Sequence, residues 1–502
     1  MTRTTTQALV LALIVVGWLK SSDVRADSKQ PNVVLMMVDD MGWSDLGCYG
    51  SEIETPTLDK LAANGLRFRQ FYNTAKCSQS RATLLSGLYH NDVGIMALNN
   101  CWTLAEAMKQ AGYRTIMTGK WHLKKEPTDR GFDRYFGHLS GATDFFAGNN
   151  SFRLNGKKFQ VPASGFYTTD ANTDYAIRFI KEAHKDKKPF FCYVAHNAPH
   201  YPLQAPKKDV EKYLGKYRLG WDKLRQKRYA KQQELGLIKK SWKLAPRPKD
   251  VPAWASLSKD RQKKEDLRMA TYAAMIDRVD QNLARLVKQL KELGAFEDTL
   301  ILFVSDNGAC PFNRNHHINK MPWEARSHWT YDKGWAHACN TPFREYKRNQ
   351  HEGGISTPFI AHWPNGMKVK KGSITDHVGH LVDVMPTLLA LTGVSYPKEF
   401  GGQALKPLRG RSLLPIFQAK EPSPRGKLYF DFAGRHHALR DGKWKLVTKD
   451  GQPWELYDVE LDRPEQKDLS KVEAERKLRM QELWQRWAKE VGIKKRKKKK
   501  KK

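Results

Sequence analysis

The chain has 502 residues, of which 40% are hydrophobic and 11% aromatic, and this composition excludes an intrinsically disordered protein. Six cysteines in a chain of this length exclude a fold held mainly by disulfide bonds. The formal net charge of +34 favours an acidic substrate, small or polymeric. The length predicts one large α/β domain with a smaller companion.

The first 26 residues have the layout of a secretory signal peptide. Arg3 precedes an apolar run over residues 8–19, and a short polar stretch then ends at Ala26. The run is shorter than the roughly 20 residues that cross a bilayer, and its flanks match cleavage near Ala26. We therefore expect an exported protein, periplasmic or secreted, with no membrane span in its mature form.

Apolar runs and helical patterns alternate along most of the chain. Runs typical of strands buried on both faces occupy residues 31–38, 115–117, 190–195, 300–305 and 358–363. Helical patterns lie between them at residues 56–63, 82–88, 104–109 and 267–293. The alternation predicts an α/β fold with a large mixed, mostly parallel sheet flanked by helices on both faces.

Two later regions differ from this pattern. Residues 207–264 are basic and interrupted by prolines, so we interpret them as an insertion near the functional site rather than as core. Over residues 421–492, short alternating segments precede a helical pattern, which predicts a small antiparallel sheet plus helix. The expected organisation is a catalytic domain at residues 27–420 followed by this α+β subdomain.

The chain ends in a lysine-rich run at residues 493–502. Such a run is usually a solvated, disordered tail. Clustered lysines can also concentrate an anionic polysaccharide near the protein through long-range attraction, so both interpretations stay open.

Polar residues follow the predicted strands at the points where those strands end. Asp39 and Asp40 come directly after the first strand, and Asp306 and Asn307 follow a distant one. The carboxyl ends of parallel strands meet at one edge of a sheet, where ligands bind. Oxygen ligands without Cys or His suit calcium or magnesium rather than zinc. In isolation, either pair would be ordinary turn residues.

A second candidate feature is Cys77, which precedes an apolar helical pattern and has Arg81 four residues further on. If Cys77 begins that helix, the positive helix end and the guanidinium face one anionic group together. By itself, a cysteine with this neighbour is more often a plain buried thiol.

The segment Cys-Ser-Gln-Ser-Arg over residues 77–81 resembles the signature of the sulfatase family, in which the cysteine is oxidised to formylglycine. The opening segment PNVVLMMVDDMGWSDLGCYG, the segments GKWHL, APHYPLQAP and FVSDNG, and the stretch NTPFREYKRNQHEGGISTPFIAHWP are all similar to bacterial arylsulfatases. The likeness covers nearly the whole mature chain except the lysine tail. Gln79 is a departure, because the family usually has proline or alanine there.

The resemblance implies an alkaline phosphatase-like fold and a calcium-dependent sulfuric ester hydrolase. It implies that one calcium ion is bound by the formylglycine at position 77 together with Asp39, Asp40, Asp306 and Asn307. One hydroxyl of the aldehyde hydrate attacks sulfur, and the other then expels sulfate as the aldehyde re-forms. A formylglycine-generating enzyme is the implied maturation partner.

The same resemblance assigns roles to the remaining residues. Arg81 holds the hydrate, and Lys120 bridges it to a sulfate oxygen. His122 assists sulfate elimination, whereas His200 and Lys347 act on the departing oxygen, and Asp306 accepts the proton of the attacking hydroxyl. Without this context, each histidine would more often be a hydrogen-bonded structural residue.

Two other functions are compatible with the sequence. A phosphoryl or phosphonate monoesterase uses a related fold, a similar metal and the same oxidised cysteine, but the full-length likeness favours a substrate that is a sulfated small molecule or carbohydrate. A catalytically silent polyanion-binding protein would use the basic surface alone. Nucleic acid binding is disfavoured, since no recognition motif is present.

Overall fold

The computed structural model describes residues 30–493. The expected signal peptide and almost all of the lysine-rich tail lie outside these residues. The main sheet has ten strands, numbered in chain order: β1 (Asn32–Val38), β2 (Leu66–Tyr72), β3 (Arg114–Gly119), β4 (Arg134–His138), β5 (Phe152–Leu154), β6 (Lys157–Lys158), β7 (Phe190–Ala195), β8 (Thr299–Ser305), β9 (Ser356–His362) and β10 (Ser373–His380).

The strands of this sheet lie in the order β10-β2-β9-β8-β1-β7-β3-β4-β5-β6. The central run β8-β1-β7-β3-β4 is parallel throughout, and so is the pair of β10 with β2. Strand β9 is antiparallel to both neighbours, and β4, β5 and β6 form an antiparallel edge. The sheet is therefore mixed and mostly parallel, as the sequence predicts.

Helices cover both faces of the sheet. They are α1 (Pro56–Ala63), α2 (Cys77–Ser86), α3 (Leu104–Gln110), α4 (Thr168–Lys185), α5 (Lys207–Glu211), α6 (Gly220–Glu234), α7 (Lys259–Glu292), α8 (Lys333–Cys339), α9 (Glu352–Ile355), α10 (Val384–Thr392), α11 (Leu414–Phe417) and α12 (Ala474–Glu490). Alternate residues of β1 enter two different cores: Val34 and Met36 pack with α4 and α7, whereas Val33 and Leu35 pack with α2, α3 and α10. This two-sided burial explains why β1 is apolar throughout.

Local sequence signals explain where several helices begin. Pro56 occupies the first turn of α1, where its missing N–H costs nothing. Thr103 and Glu106 form a capping box at the start of α3. The Ser258 side chain accepts a hydrogen bond from the N–H of Arg261 and caps α7.

A four-stranded antiparallel sheet follows a short hairpin of β11 (Glu399–Phe400) and β12 (Gln403–Ala404), and it consists of β13 (Leu428–Phe432), β14 (His436–Asp441), β15 (Trp444–Thr448) and β16 (Glu455–Asp458). One face packs against Tyr72 and Ile355 at the end of the main sheet, and the other against Trp484 and Trp487 of α12. The small C-terminal sheet plus helix is thus present as predicted.

Residues 207–264 differ from the sequence-based expectation. Trp221, Leu224 and Trp242 are buried in the same core as β1, and Arg228 of α6 is fully enclosed as well. The basic composition concealed this because the lysines of α6 are exposed while its apolar and arginine side chains face inward. These residues of the stretch are part of the core, so the expectation that the stretch lies outside the core is wrong, whereas its description as an insertion near the functional site stays a prediction.

Within residues 30–493, no helix combines the length and apolar composition that crossing a bilayer requires.

Candidate active site

The candidate site lies at the carboxyl ends of the adjacent central strands β8, β1, β7 and β3. Each of these strands is followed by one or two of the predicted site residues. They are Asp306 and Asn307 after β8, Asp39 and Asp40 after β1, His200 after β7, and Lys120 and His122 after β3. Their backbones converge because parallel strands end at the same edge.

The two aspartates after β1 are buried, and the backbone of Asp40 is strained. Asp40 has φ of 69°, a left-handed conformation that is uncommon outside glycine. Its N–H donates to Asp306 Oδ1 at 3.3 Å, and its carbonyl accepts from the Tyr272 hydroxyl at 3.2 Å. Asp39, Asp40 and Asp306 are each no more than 1% exposed. The conformation places both adjacent carboxylates in one buried pocket.

Three buried cations face these three carboxylates. Arg81 Nη2 donates to Asp306 Oδ2 at 2.9 Å and lies 3.8 Å from Asp39 Oδ2. The ammonium group of Lys120 bonds to Asp39, and that of Lys347 bonds to Asp40. Lys347 comes from the loop before α9, more than 300 residues from Asp40 in the chain.

The charges shift the titration of the carboxylates in opposite directions. Burial by itself would raise the pKa of Asp39, but the positive charge of Lys120, with smaller contributions from nearby cations, holds it well below its usual range. Burial and the negative charge of Asp39 raise the pKa of Asp306 to about 7. Asp39 is therefore a permanent anion, whereas Asp306 can take up a proton near neutral pH.

Three oxygen atoms in this pocket are buried without a hydrogen-bond partner: Asp39 Oδ1, Asp40 Oδ2 and Asn307 Oδ1. The amide of Asn307 donates to Asp40 Oδ1 at 2.6 Å and is thereby oriented towards the carboxylates. Ligand atoms of Asp39, Asp40 and His200 also lie within 4.8 Å of one another. Unpartnered buried oxygens are rare in proteins, so this set fits a hard divalent cation.

Cys77 is the first residue of α2, as the sequence suggested. Lys76 before it is extended and offers no side-chain cap, so the first N–H groups of α2 stay available for an anion. Burial raises the pKa of the Cys77 thiol, against the lowering effect of Lys120. The unmodified thiol is thus a poor nucleophile at neutral pH.

Ser80 is a contributor to this site that sequence reasoning missed. Its hydroxyl donates to the Asp306 carbonyl at 2.5 Å and accepts from the Thr74 N–H at 3.0 Å. It therefore clamps the first turn of α2 against the end of β8. Its place between Cys77 and Arg81 was the only available signal.

The two predicted histidines differ in burial and in their contacts: His200 is buried, whereas His122 is partly exposed. His122 has φ of 56° and packs on Gly141, where an added Cβ would lie 2.5 Å from His122 Nε2. Burial and the charge of Lys120 lower its pKa strongly. His200 Nδ1 donates to the Tyr201 carbonyl at 2.6 Å, which leaves Nε2, 3.5 Å from Asp40 Oδ2, without the proton in the neutral ring.

The cavity beside Asp40 is lined by three residues of the APHYPLQAP segment and by four residues outside the quoted motifs. They are Pro199, Tyr201, Leu203, Cys310, Phe312, Thr330 and Tyr331. Tyr201 directly follows His200, but the segment containing Phe312 and Tyr331 carries no recognisable chemistry in sequence. The structure therefore adds an aromatic entrance to a charged pocket.

Comparison with known proteins agrees with this geometry. The family model for sulfatases matches residues 31–394, and the model described as "N-sulphoglucosamine sulphohydrolase, C-terminal" matches residues 344–491. The chain belongs to the sulfatase family. It is accordingly an enzyme of the class that cleaves sulfate esters.

Individual relatives extend over most of the chain. An arylsulfatase of Klebsiella aerogenes is 31% identical over 447 residues, which cover 80% of this chain and 95% of the relative. The solved structure of Ps i-CgsB in complex with k-i-k-neocarrahexaose has a TM-score of 0.68 and 26% identity, and the match covers 92% of this chain and 93% of that one. A phosphonate monoester hydrolase of Agrobacterium radiobacter shares the fold alone, with a TM-score of 0.57, 20% identity, and coverage of 92% and 96%.

Proposed function

We propose that this sulfatase hydrolyses sulfate monoesters with formylglycine at position 77 and one calcium ion held by Asp39, Asp40, Asp306 and Asn307. The observation that carries the proposal is the set of three unpartnered oxygens, Asp39 Oδ1, Asp40 Oδ2 and Asn307 Oδ1, within a ring of buried cations. Calcium supplies Lewis-acid polarisation there, and formylglycine supplies the hydroxyl nucleophile.

The cations of the pocket neutralise the charge of the reacting sulfate. Lys120 is fully buried beside Asp39, so its charge acts in a poorly screened environment. Arg81 Nη1 donates to the Lys120 carbonyl at 2.8 Å, and its Nη2 is fixed on Asp306. These contacts orient the guanidinium towards the first turn of α2, where residue 77 lies.

Lys347 is better placed than His200 to donate a proton to the departing oxygen. The Tyr201 carbonyl oxygen can only accept a hydrogen bond, so His200 Nδ1 must carry the proton and donate it to that oxygen. In the neutral ring, Nε2 is then an acceptor. Asp40 raises the pKa of Lys347 well above its usual value, and the ammonium group stays charged. Lys347 therefore donates, while His200 accepts a hydrogen bond or orients Lys347 and Asp40. Asp306 accepts the proton of the attacking hydroxyl, and His122 assists sulfate release.

The natural substrate that we propose is a sulfated carbohydrate. The net charge of +34 favours a polyanion. One relative is named as an N-acetylglucosamine-6-O-sulfatase of Bacteroides thetaiotaomicron, and the similar structure of Ps i-CgsB was solved with a neocarrahexaose. The signal-like residues 1–26 support export to the periplasm or medium, with maturation by a formylglycine-generating enzyme.

The test combines mass and rate. We expect the intact peptide containing position 77, from protein made in its own host, to have the mass of the aldehyde in place of the thiol. We expect turnover of an aryl sulfate to exceed that of the matched aryl phosphate and phosphonate monoesters. Preferential cleavage of either phosphorus ester would replace the proposal with the monoesterase alternative, and an unmodified thiol with no turnover would favour a polyanion-binding protein.

A further inference from the structure

A band of alternating rings and cations runs from the cavity beside Asp40, which Tyr201 and Phe312 line, to Lys76 before Cys77. The guanidinium of Arg314 lies 5.4 Å from the Tyr201 ring centroid and 5.2 Å from that of Phe312. Arg348 lies 4.5 Å from the Phe312 centroid and 5.7 Å from that of Phe432, and Lys76 lies 6.0 Å from the same Phe432 ring. We call this set the rim band: Tyr201, Arg314, Phe312, Arg348, Phe432 and Lys76.

The rim band is joined to the catalytic residues by the backbone. Arg348 directly follows Lys347, and Lys76 directly precedes Cys77. The Arg348 N–H donates to the Ala75 carbonyl at 2.7 Å, which ties the two segments together. Arg348 and Ala75 have φ of 75° and 59°, strained values for residues other than glycine. In each of these adjacent pairs, the backbone directs one residue, Lys347 or Cys77, to the pocket and the other, Arg348 or Lys76, to its rim.

The cations of the rim band have no acidic partner. Among the ion pairs of residues 30–493, none involves Lys76, Arg314 or Arg348, whereas Arg344, four residues before Arg348, pairs with Glu455 at 3.4 Å. Arg348 Nε is buried without a hydrogen-bond partner, although its side chain as a whole is partly exposed. The partly exposed guanidinium of Arg348 thus carries a positive charge that no described acidic group pairs with, which favours an anionic ligand.

We propose that the rim band binds a second anionic group, a sulfate or carboxylate on the sugar next to the one that carries the reacting ester. This inference rests on the proposed function and specifies its substrate as an oligosaccharide with anions on neighbouring rings. A planar guanidinium binds such oxyanions with two parallel hydrogen bonds. The rings beneath Arg314 and Arg348 hold the guanidinium groups in place.

The experiment compares three substrates: an aryl monosulfate, an oligosaccharide with one sulfate on its terminal ring, and the same oligosaccharide with a sulfate on every ring. The variants are Arg348→Met and Arg314→Met, which keep an apolar stem on the ring. The matched control is Arg486→Met, since Arg486 is exposed on α12 and forms no ion pair among the described residues. Arg314 lies on an exposed loop, so its replacement does not threaten folding.

We expect each rim variant to lower kcat/KM on the fully sulfated oligosaccharide by roughly tenfold or more, mainly through KM. Rates on the aryl monosulfate and the singly sulfated oligosaccharide should stay within about twofold, and the difference should shrink at high salt. The proposal is overturned if both variants leave kcat/KM on the fully sulfated oligosaccharide unchanged, or lower it equally on all three substrates.

Failure of the proposed function gives a different result. If the wild-type protein cleaves no sulfate ester, calorimetric binding of the fully sulfated oligosaccharide still tests the rim band. Binding that Arg348→Met weakens roughly tenfold and Arg486→Met does not would uphold the inference. Binding that is equal in both variants would reject it.

Discussion

Glu352 in one buried cluster of charged side chains differs from Asp39 and Asp40 in another, because only Glu352 has hydrogen-bond partners on both carboxylate oxygens. In the cluster between the main sheet and the C-terminal sheet, Glu352 accepts from Lys445 at 2.8 Å on one oxygen and from Arg463 at 2.7 Å on the other. Tyr72 and Ser356 add further bonds to the same carboxylate. At the active-site edge, Asp39 and Asp40 each keep one oxygen without a partner.

The difference separates a structural charge cluster from the one that we propose is catalytic. Burial would raise the pKa of Glu352, but Lys445 and Arg463 outweigh it and lower the pKa. That cluster is closed, because protein groups occupy both oxygens of Glu352. The site cluster is open, because the protein leaves oxygens for a ligand. Glu352, Asp39 and Asp40 are all buried, so the bonding of their oxygens rather than their burial distinguishes them.

The largest expected effect tests the open cluster. Cys77→Ala should reduce kcat on an aryl sulfate by about 10⁴-fold or more, because it removes the nucleophile's precursor. The thermal midpoint should change little. Kinetics and a melting curve on the same sample provide the measurement.

The matched control is Cys192→Ala, which removes another buried free thiol, on β7 and outside the pocket. Its kcat should match that of the wild type. Near-native rates in Cys77→Ala would contradict the proposed mechanism.

The second effect tests the closed cluster. Glu352→Gln should lower the free energy of unfolding by about 3–5 kcal/mol, because the buried Arg463 loses its paired carboxylate and Lys445 keeps only Glu465. Urea denaturation measures the loss. Asp174→Asn, which disrupts the exposed pair of Asp174 with Arg285, should cost less than about 1 kcal/mol. Equal losses in both variants would show that burial of the charges is unimportant.

Stabilisation by calcium should depend on the cluster of Asp39 and Asp40 and not on the cluster of Glu352. At 100 times its Kd, calcium should stabilise the wild-type protein by about 2.7 kcal/mol. Glu352→Gln should be stabilised by calcium to the same extent, although its stability without calcium is lower. Asp40→Asn should show no stabilisation by calcium and should be inactive. A chelator should reverse the wild-type gain. Full calcium stabilisation of Asp40→Asn would place the ion elsewhere.

The smallest effect concerns His90, a buried side chain outside both clusters. Burial lowers its pKa to about 4, against the opposing charges of Asp431 and Asp92. The unfolded chain, with a histidine pKa of about 6.5, then binds more protons than the folded one, and stability is lost as pH falls from about 6.5 to about 4. His90→Gln should reduce this slope by up to about 1.4 kcal/mol per pH unit.

The exposed His184 on α4 offers the control for this slope. His184→Gln should leave the pH dependence of urea denaturation unchanged. If His90→Gln also left it unchanged, protonation of His90 would not contribute to acid unfolding.

Much of the fold was predictable because the signals are local. The apolar run that predicts β7 and the proline start that predicts α1 agree with the structure at both ends. The predicted helix at residues 82–88 began too late, since all of α2 is buried and its polar first turn lacks a hydrophobic period. Strand β2 was missed because arginines alternate with its aromatic residues. Within the alternating segments predicted over residues 421–492, β14 and β15 form a hairpin that turns at Gly442.

The sequence by itself determined the alternation of strands and helices, the positions of the polar residues at strand ends, and a signature around Cys77. Those features depend on neighbouring residues and on the periods of helix and strand. Only the tertiary structure decided that Lys347 reaches Asp40, that Ser80 bonds to the end of β8, and that rings and cations alternate across the entrance. Such contacts join distant segments, and their geometry follows from how the whole sheet packs rather than from any local pattern.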